Sequence, residues 1–340
     1  MNACVSSTGA VDAVVTGAGG FIGGHLTRRL LAEGLRVRAV DRKPLDAWYQ
    51  AHAEAENLVR DVALLDGCTD AMAGAAGAEV FHLAADMGGM GFIESHKADC
   101  MLSVLSSTHM LMAARDAGAG RYFYSSSACV YAAGKQTEAD VTALREEDAY
   151  PATPEDGYGW EKLFSERMAR HFREDFGLAT RTGRYHNVYG PYGTWTGGRE
   201  KAPAAACRKV ALAVLTGTDE VEIWGDGEQT RSFTYIDDCV EGTLRLARSQ
   251  VVEPLNIGSD RLVSINQLFA IVESVAGVRL KHRHIPGPLG VRGRNSDNRR
   301  IVKELGWEPE TLLTAGLERT YRWVYDQVSA QLDGRPHFTS

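Results

Sequence analysis

The chain has 340 residues, with 37 Lys and Arg against 44 Asp and Glu and a formal net charge of −7. Hydrophobic residues make up 44% and charged residues 24%, close to a folded-globule average, which excludes a disordered or fibrous chain. The acidic balance argues against nucleic-acid binding, and no apolar run approaches the roughly 20 residues that span a bilayer.

The first predicted element is a short β-branched strand at 12–16, which ends abruptly in Gly17-Ala-Gly-Gly-Phe-Ile-Gly23. Phe21, Ile22, Leu26, Leu30 and Leu31 then recur at helical spacing, and Gly34 can end that helix. Apolar runs at 37–40 and 57–60, stopping at Asp41 and Asp61, predict two further strands. A helix is expected near 64–75, a strand at 79–85, a helix near 95–117 and a strand at 121–125. Strands alternating with helices over such distances imply right-handed crossovers and a mainly parallel sheet. Past residue 185 the pattern changes. Gly, Pro and aromatic residues crowd 190–203, followed by an expected helix over 204–215 and short strands at 221–224 and 230–236. A helix near 237–248 and a strand at 254–257 complete the readable pattern.

Gly17, Gly20 and Gly23 lie between a strand and a helix, the context in which glycines permit a tight turn and close approach to a pyrophosphate. Asp41, at the end of the second strand, is placed to accept hydrogen bonds from an adenosine ribose. A carboxylate there disfavours a 2′-phosphate and favours NAD, while Arg42 and Lys43 beside it leave NADP open. Asp61 is placed either to contact adenine or to stand as a solvated strand end. The fold class is therefore α/β: a Rossmann-type doubly wound parallel sheet with a smaller mixed α/β C-terminal substrate lobe. The expected NAD-binding domain spans 1–185 with 237–257 returning to it; 186–236 and 258–340 build the other lobe.

Ser125-Ser126-Ser127-Ala128-Cys129 follows a predicted strand, and Tyr158 and Lys162 fall on one face of a helix. An ammonium near a phenol is expected to favour the phenolate, which suits proton exchange with a sugar hydroxyl. With the glycine turn upstream, this pattern resembles the extended short-chain dehydrogenase/reductases, which use a Ser-Tyr-Lys site for hydride transfer. The resemblance narrows with six blocks: Leu83-Ala-Ala-Asp-Met-Gly-Gly-Met-Gly-Phe92, Ser126-Ser-Ala-Cys-Val-Tyr131, Gly183-Arg-Tyr-His-Asn-Val-Tyr-Gly-Pro191, Gly197-Gly-Arg-Glu-Lys-Ala-Pro-Ala204, Trp224-Gly-Asp-Gly227 and Gly290-Val-Arg-Gly-Arg-Asn-Ser-Asp-Asn298. Together these are similar to the GDP-mannose 3,5-epimerase family. The chain departs from the family pattern at Ala132-Ala133-Gly134, where proline is usual, and at Gly157 and Trp160, where Ala and Leu are usual.

The resemblance implies transient oxidation at carbon 4 of GDP-mannose with NAD as cofactor, Tyr158 exchanging the hydroxyl proton and Ser127 bonding the oxygen. Cys129 then serves as base and Lys201 as the opposing acid at carbons 3 and 5, and re-reduction gives GDP-L-galactose or GDP-L-gulose. From composition alone, Cys129 would be an ordinary buried thiol. The resemblance places Gly88, Ser127, Ala128, Cys129, Asn187, Glu200, Lys201, Ala202, Lys209, Gln229, Thr230, Arg231 and Arg294 at the substrate. With the glycine turn and strand-end acids read above, this puts Gly17, Gly20, Phe21, Ile22, Gly23, Asp41, Asp61, Tyr158 and Lys162 at the cofactor. Positive charge for a diphosphate is expected from 281–300, which carries Lys281, Arg283, Arg292, Arg294, Arg299 and Arg300, the last two reading as a solvated helix start. Gly88, Gly89 and Gly91 read either as a close approach to the hexose or as an ordinary turn.

Alternative readings are another nucleotide-sugar 4-epimerase or 4,6-dehydratase, or a non-catalytic NAD-binding regulator. A dehydratase would carry an Asp-Glu pair where Ala128-Cys129 stands. His82, His186, His282 and His284 lack metal-site spacing, so no metal is expected. Trp195 and Trp224 wall either the cleft or the core. Cys4, Cys68, Cys100, Cys129, Cys207 and Cys239 are scattered without close pairs, as expected of reduced thiols in the cytoplasm. Met1 to Val11 lacks the basic and apolar pattern of a signal peptide. No membrane partner is expected, and the resemblance implies a homodimer through helices around 95–117 and 158–175.

Overall fold

A computed structural model describes residues 10–288 and 290–338. Cys4 and most of the segment read for a signal peptide lie outside the described residues. The chain opens with β1 (Ala13–Thr16), α1 (Phe21–Ala32), β2 (Val37–Asp41), β3 (Glu56–Val59), α2 (Leu65–Met72) and β4 (Glu79–His82). α3 (Met90–Ser95), not predicted from the sequence, and α4 (Lys97–Asp116), the helix expected near 95–117, follow. His96 departs from helical geometry at φ −126°, ψ 44°, and breaks the run in two. β5 (Arg121–Ser127), α5 (Tyr158–Phe176) and β6 (Thr180–Tyr185) complete the first half.

The second half contains β7 (Val188–Tyr189), α6 (Ala202–Thr216), β8 (Glu220–Trp224), β9 (Thr230–Ser232), β10 (Thr234–Tyr235) and α7 (Ile236–Arg248). It continues through β11 (Leu255–Ile257), β12 (Leu262–Ser264), α8 (Ile265–Ala276), β13 (Lys281–Ile285), β14 (Gly293–Arg294), α9 (Arg299–Leu305) and α10 (Leu313–Leu332). The main sheet has seven strands in the order β11-β6-β5-β4-β1-β2-β3, every pair parallel. This is the doubly wound arrangement expected from the alternating pattern, and β11 extends it beside β6.

Alternation along the strands explains the two helical layers. Ala13 and Val15 of β1 and Phe123 of β5 face one core with Leu26, Leu30 and α7, while Val14, Tyr122 and Tyr124 face the other with α2 and α4. Both faces are covered, which is why these strands read as apolar runs. The second lobe is built from short pieces: β12-β9-β14, β13 beside β8, and β10 beside β7, packed on α6, α8 and α10. Trp195 is fully buried there, its indole N–H donating to the Phe338 carbonyl at 2.7 Å, whereas Trp224 is half-exposed. Among the described residues no helix is long and apolar enough to cross a membrane.

Candidate active site

The loop after β1 depends on glycine. Gly17 lies at φ +72°, and a Cβ on Gly23 would collide with the Gly17 carbonyl, so loop and helix meet only without side chains. Gly20 caps α1 without a side-chain partner and no acid sits in the first turn, leaving the helix N–H groups available to an anion. Asp41 ties this loop down: Oδ2 accepts from the Gly19 N–H and Oδ1 from the Lys43 N–H, both at 3.0 Å. Its other lone pairs remain for a ribose. Lys43 donates to the Gly19 carbonyl at 2.8 Å and Arg42 pairs with Asp86 at 3.2 Å, so the cations that left NADP open both have protein partners. Asp61 accepts from the Ala63 N–H at 2.9 Å and so caps its own turn. This cradle, which a Cβ would fill, fits NAD. The glycine loop would hold the pyrophosphate with Phe21 and Ile22 opening α1, Asp41 the ribose, and Asp61 the adenine end.

Next to it lies a cavity of about 220 Å³, lined from both lobes. Ser127 ends β5, and its hydroxyl accepts from the Cys129 N–H at 3.2 Å, capping a single 3-10 turn that holds Cys129 at the wall. Burial and the Glu155 charge push the Cys129 thiol up to about 11, while Arg294, donating to Sγ at 3.6 Å, pulls it down. Gly157 sets the start of α5 at φ +77°, where a Cβ would meet Lys97 Cβ at 3.0 Å. A Cβ on Gly159 would strike the Cys129 carbonyl, so α5 presents Tyr158 at close range. Lys162 is 1% exposed, with its ammonium 5.0 Å from the Tyr124 ring centroid, 5.5 Å from that of Tyr158 and 3.4 Å from Glu161 Oε2.

Lys201 arrives from the other lobe as the residue that starts α6, with Pro203 in the first turn. Burial lowers its ammonium below the usual lysine range, against the pull of Cys129. The segment ahead of it is fastened to the sheet: Asp86 accepts from Arg199 at 2.7 Å and from Arg42 at 3.2 Å, and the Arg199 guanidinium stacks 3.7 Å from the Phe92 ring. A Cβ on Gly89 would come to 2.6 Å from the Glu200 carbonyl, so this glycine loop serves a close approach between lobes.

The sequence matches the model of the NAD dependent epimerase/dehydratase family over residues 13–258. The chain belongs to that family. It is 50% identical to GDP-mannose 3,5-epimerase 1 of Oryza sativa subsp. japonica over 93% of this chain and 82% of that protein. Identity to the GDP-mannose 3,5-epimerase of Arabidopsis thaliana is 49%, over 93% and 83%. Among solved structures it is similar to the UDP-glucose 4-epimerase of Thermotoga maritima with UDP-glucose, at TM-score 0.82, 26% identity, 92% of this chain and 98% of that one. MoeE5 in complex with UDP-glucose and NAD aligns at TM-score 0.75 and 30% identity, covering 93% and 99%. The chain is an NAD-dependent nucleotide-sugar epimerase.

In this epimerase Gly88, Ser127, Ala128, Cys129, Asn187, Glu200, Lys201, Ala202, Lys209, Gln229, Arg231 and Arg294 all line the cavity, with Tyr158. Thr230 does not: its hydroxyl donates to the Ala139 carbonyl at 2.5 Å, because alternate residues of β9 face opposite ways. The expected lowering of Tyr158 is also reversed. Burial pushes the phenol well above its ordinary range, with the charges of Cys129 and Glu161 adding to the effect. Lys162 lies over the rings and is paired with Glu161, so its charge does not offset the desolvation. The basic segment needs correction too. Lys281 pairs with Asp219, Arg283 with Glu220 and Glu222, Arg292 with Asp226, and Arg299 with Asp297; Arg294, itself paired with Glu155, is the cation of this segment that lines the cavity. The others in the lining are Lys201, Arg208, Lys209 and Arg231. Arg208, which the sequence reading did not single out, lies in the second turn of α6 and pairs with Glu200 at 2.9 Å. Trp224, rather than Trp195, walls the cleft, with the Lys209 ammonium 5.5 Å from its ring.

Proposed function

We propose that this chain inverts carbons 3 and 5 of GDP-D-mannose, giving GDP-L-galactose, or GDP-L-gulose where carbon 5 alone inverts. The observation that carries the reading is that Cys129, from the end of the sheet, and Lys201, from the second lobe, line one cavity with Ser127 and Tyr158. Simple inversion at carbon 4 needs no such acid–base pair. Bound NAD supplies reversible hydride acceptance at carbon 4 of the sugar. Ser127 hydrogen-bonds the carbon-4 oxygen and Tyr158 exchanges its proton. A carbonyl at carbon 4 acidifies the hydrogens of carbons 3 and 5. Cys129 then removes one proton as base and Lys201 delivers another as acid on the opposite ring face. The lining carries five basic side chains, of which Arg208 and Arg294 are paired with Glu200 and Glu155, and the basic excess suits a diphosphate; the identity to rice and Arabidopsis proteins named for GDP-mannose favours the guanosine form.

Incubation of the NAD-loaded protein with GDP-mannose in deuterated water tests this by NMR. Deuterium is expected at carbons 3 and 5; its absence from both would sink the reading. Cys129→Ala is expected to abolish that exchange while retaining oxidation at carbon 4, seen as cofactor reduction. We also propose a homodimer through α4 and α5, on which Met101, Leu102, Leu105, Trp160 and Phe164 stand exposed together.

A further inference from the structure

Glu155 has no part in the reaction set out above, yet it is buried against the proposed base. It lies in the loop ahead of α5, and its Oε1 accepts from Arg294 Nη2 in an ion pair with both side chains under a tenth exposed. The same guanidinium donates through Nη1 to Cys129 Sγ at 3.6 Å and through Nε to Gln136 Oε1 at 2.6 Å. The Glu155 backbone N–H donates to the Cys129 carbonyl at 3.0 Å, which fixes the loop to the residue bearing the thiol. One buried guanidinium is thus shared between a carboxylate and a thiol. With Glu155 ionised and Cys129 protonated, the trio is neutral. Ionising the thiol as well would leave a net negative charge away from water, which burial disfavours.

We propose that Glu155 is the positioning residue that keeps Cys129 protonated between turnovers, by engaging the positive charge of Arg294. The role rests on reading Cys129 as the proton-exchanging thiol. The other groups facing it are Ser127, Tyr158 on α5, Lys201 at the start of α6 and Arg231 on β9. The outcome of that balance agrees with the geometry. The thiol is raised first by burial and then by Glu155; at Glu155 burial raises the carboxyl, but Arg294, a hydrogen bond with the Cys129 thiol and the Arg231 charge together hold it below the usual range.

The test is the pH dependence of iodoacetamide alkylation of Cys129 in the NAD-loaded protein, read by mass spectrometry, with Cys129→Ser identifying the adduct. Wild type is expected to react with a strongly alkaline midpoint. Glu155→Gln, which keeps the shape and removes the charge, is expected to lower the midpoint by about 1–3 pH units. Glu155→Asp is expected to stay near wild type. An unchanged or raised midpoint in Glu155→Gln overturns the proposal, as does an equal fall in Glu155→Asp, since shape would then be the cause. If Glu155→Gln does not fold, Arg294→Gln gives the converse: a raised midpoint supports the proposal and an unchanged or lowered one overturns it. Alkylation needs no sugar, so a failure here leaves the epimerase reading standing, and a failure of deuterium exchange leaves the Glu155 result standing.

Discussion

Burial drives Cys129 and Lys201 towards their neutral forms, raising the thiol to about 11 and lowering the ammonium. The combination the proposed reaction needs, thiolate with ammonium, is therefore a minority near neutral pH. Below the lowered Lys201 value the amine is already protonated, so raising the pH only fills the thiolate. While Lys201 stays protonated, exchange at carbons 3 and 5 is then expected to rise with pH by about tenfold per unit. Between the Lys201 value and about 11 the two trends cancel, and above that the loss of ammonium lowers the rate. Deuterium incorporation measured across pH checks the slope, and a rate that falls through neutral contradicts it. At this scale the sequence was informative where spacing encodes chemistry, as with Gly17, Gly20 and Gly23, or Tyr158 and Lys162. Cys129 and Lys201 became legible only through resemblance. Glu155 was not legible at all, because its partner Arg294 lies 139 positions away and nothing local marks either as a pair.

Elements were readable where burial on both faces leaves an apolar run, and failed where a buried charge interrupts it. β6 is the clearest case: Arg181 and Arg184 sit inside Thr180–Tyr185 and hide a central strand. Arg184 is fully buried because Glu166 of α5 grips it through two oxygens at 2.9 and 2.7 Å and the Glu146 carbonyl accepts at 2.7 Å. Removing one partner of such a pair strands the other charge. Glu166→Ala is expected to cost about 3–5 kcal/mol in urea unfolding, and a near-neutral effect would show that water reaches Arg184. The basic stretch 281–300 misled for a related reason. Side chains on β13 face acids of β8 across a parallel register that sequence order does not reveal. Thr230 and Arg231 differ in the same way, since one residue along a strand reverses the face.

For the whole molecule, the exposed apolar side chains of α4 and α5 set the expectation for assembly. Met101 and Leu105 are one turn apart, as are Trp160 and Phe164, and the two helices pack side by side. Leu102→Glu combined with Phe164→Glu is expected to convert the proposed dimer to a monomer in sedimentation velocity, with far-UV circular dichroism unchanged. A wild-type monomer would remove this face as the interface. The mainly parallel, doubly wound sheet followed from the strand–helix alternation, whereas the second lobe, with its two- and three-residue strands, carries too short a period to read in advance. Asp86 joins these scales. Two guanidinium groups lean on its carboxylate, Arg42 from the cofactor edge and Arg199 from the segment that delivers Lys201. It works as a keystone: without it, two like charges would face each other where the lobes meet, and the wall that completes the cavity would be pushed outward by the same residues that now hold it shut.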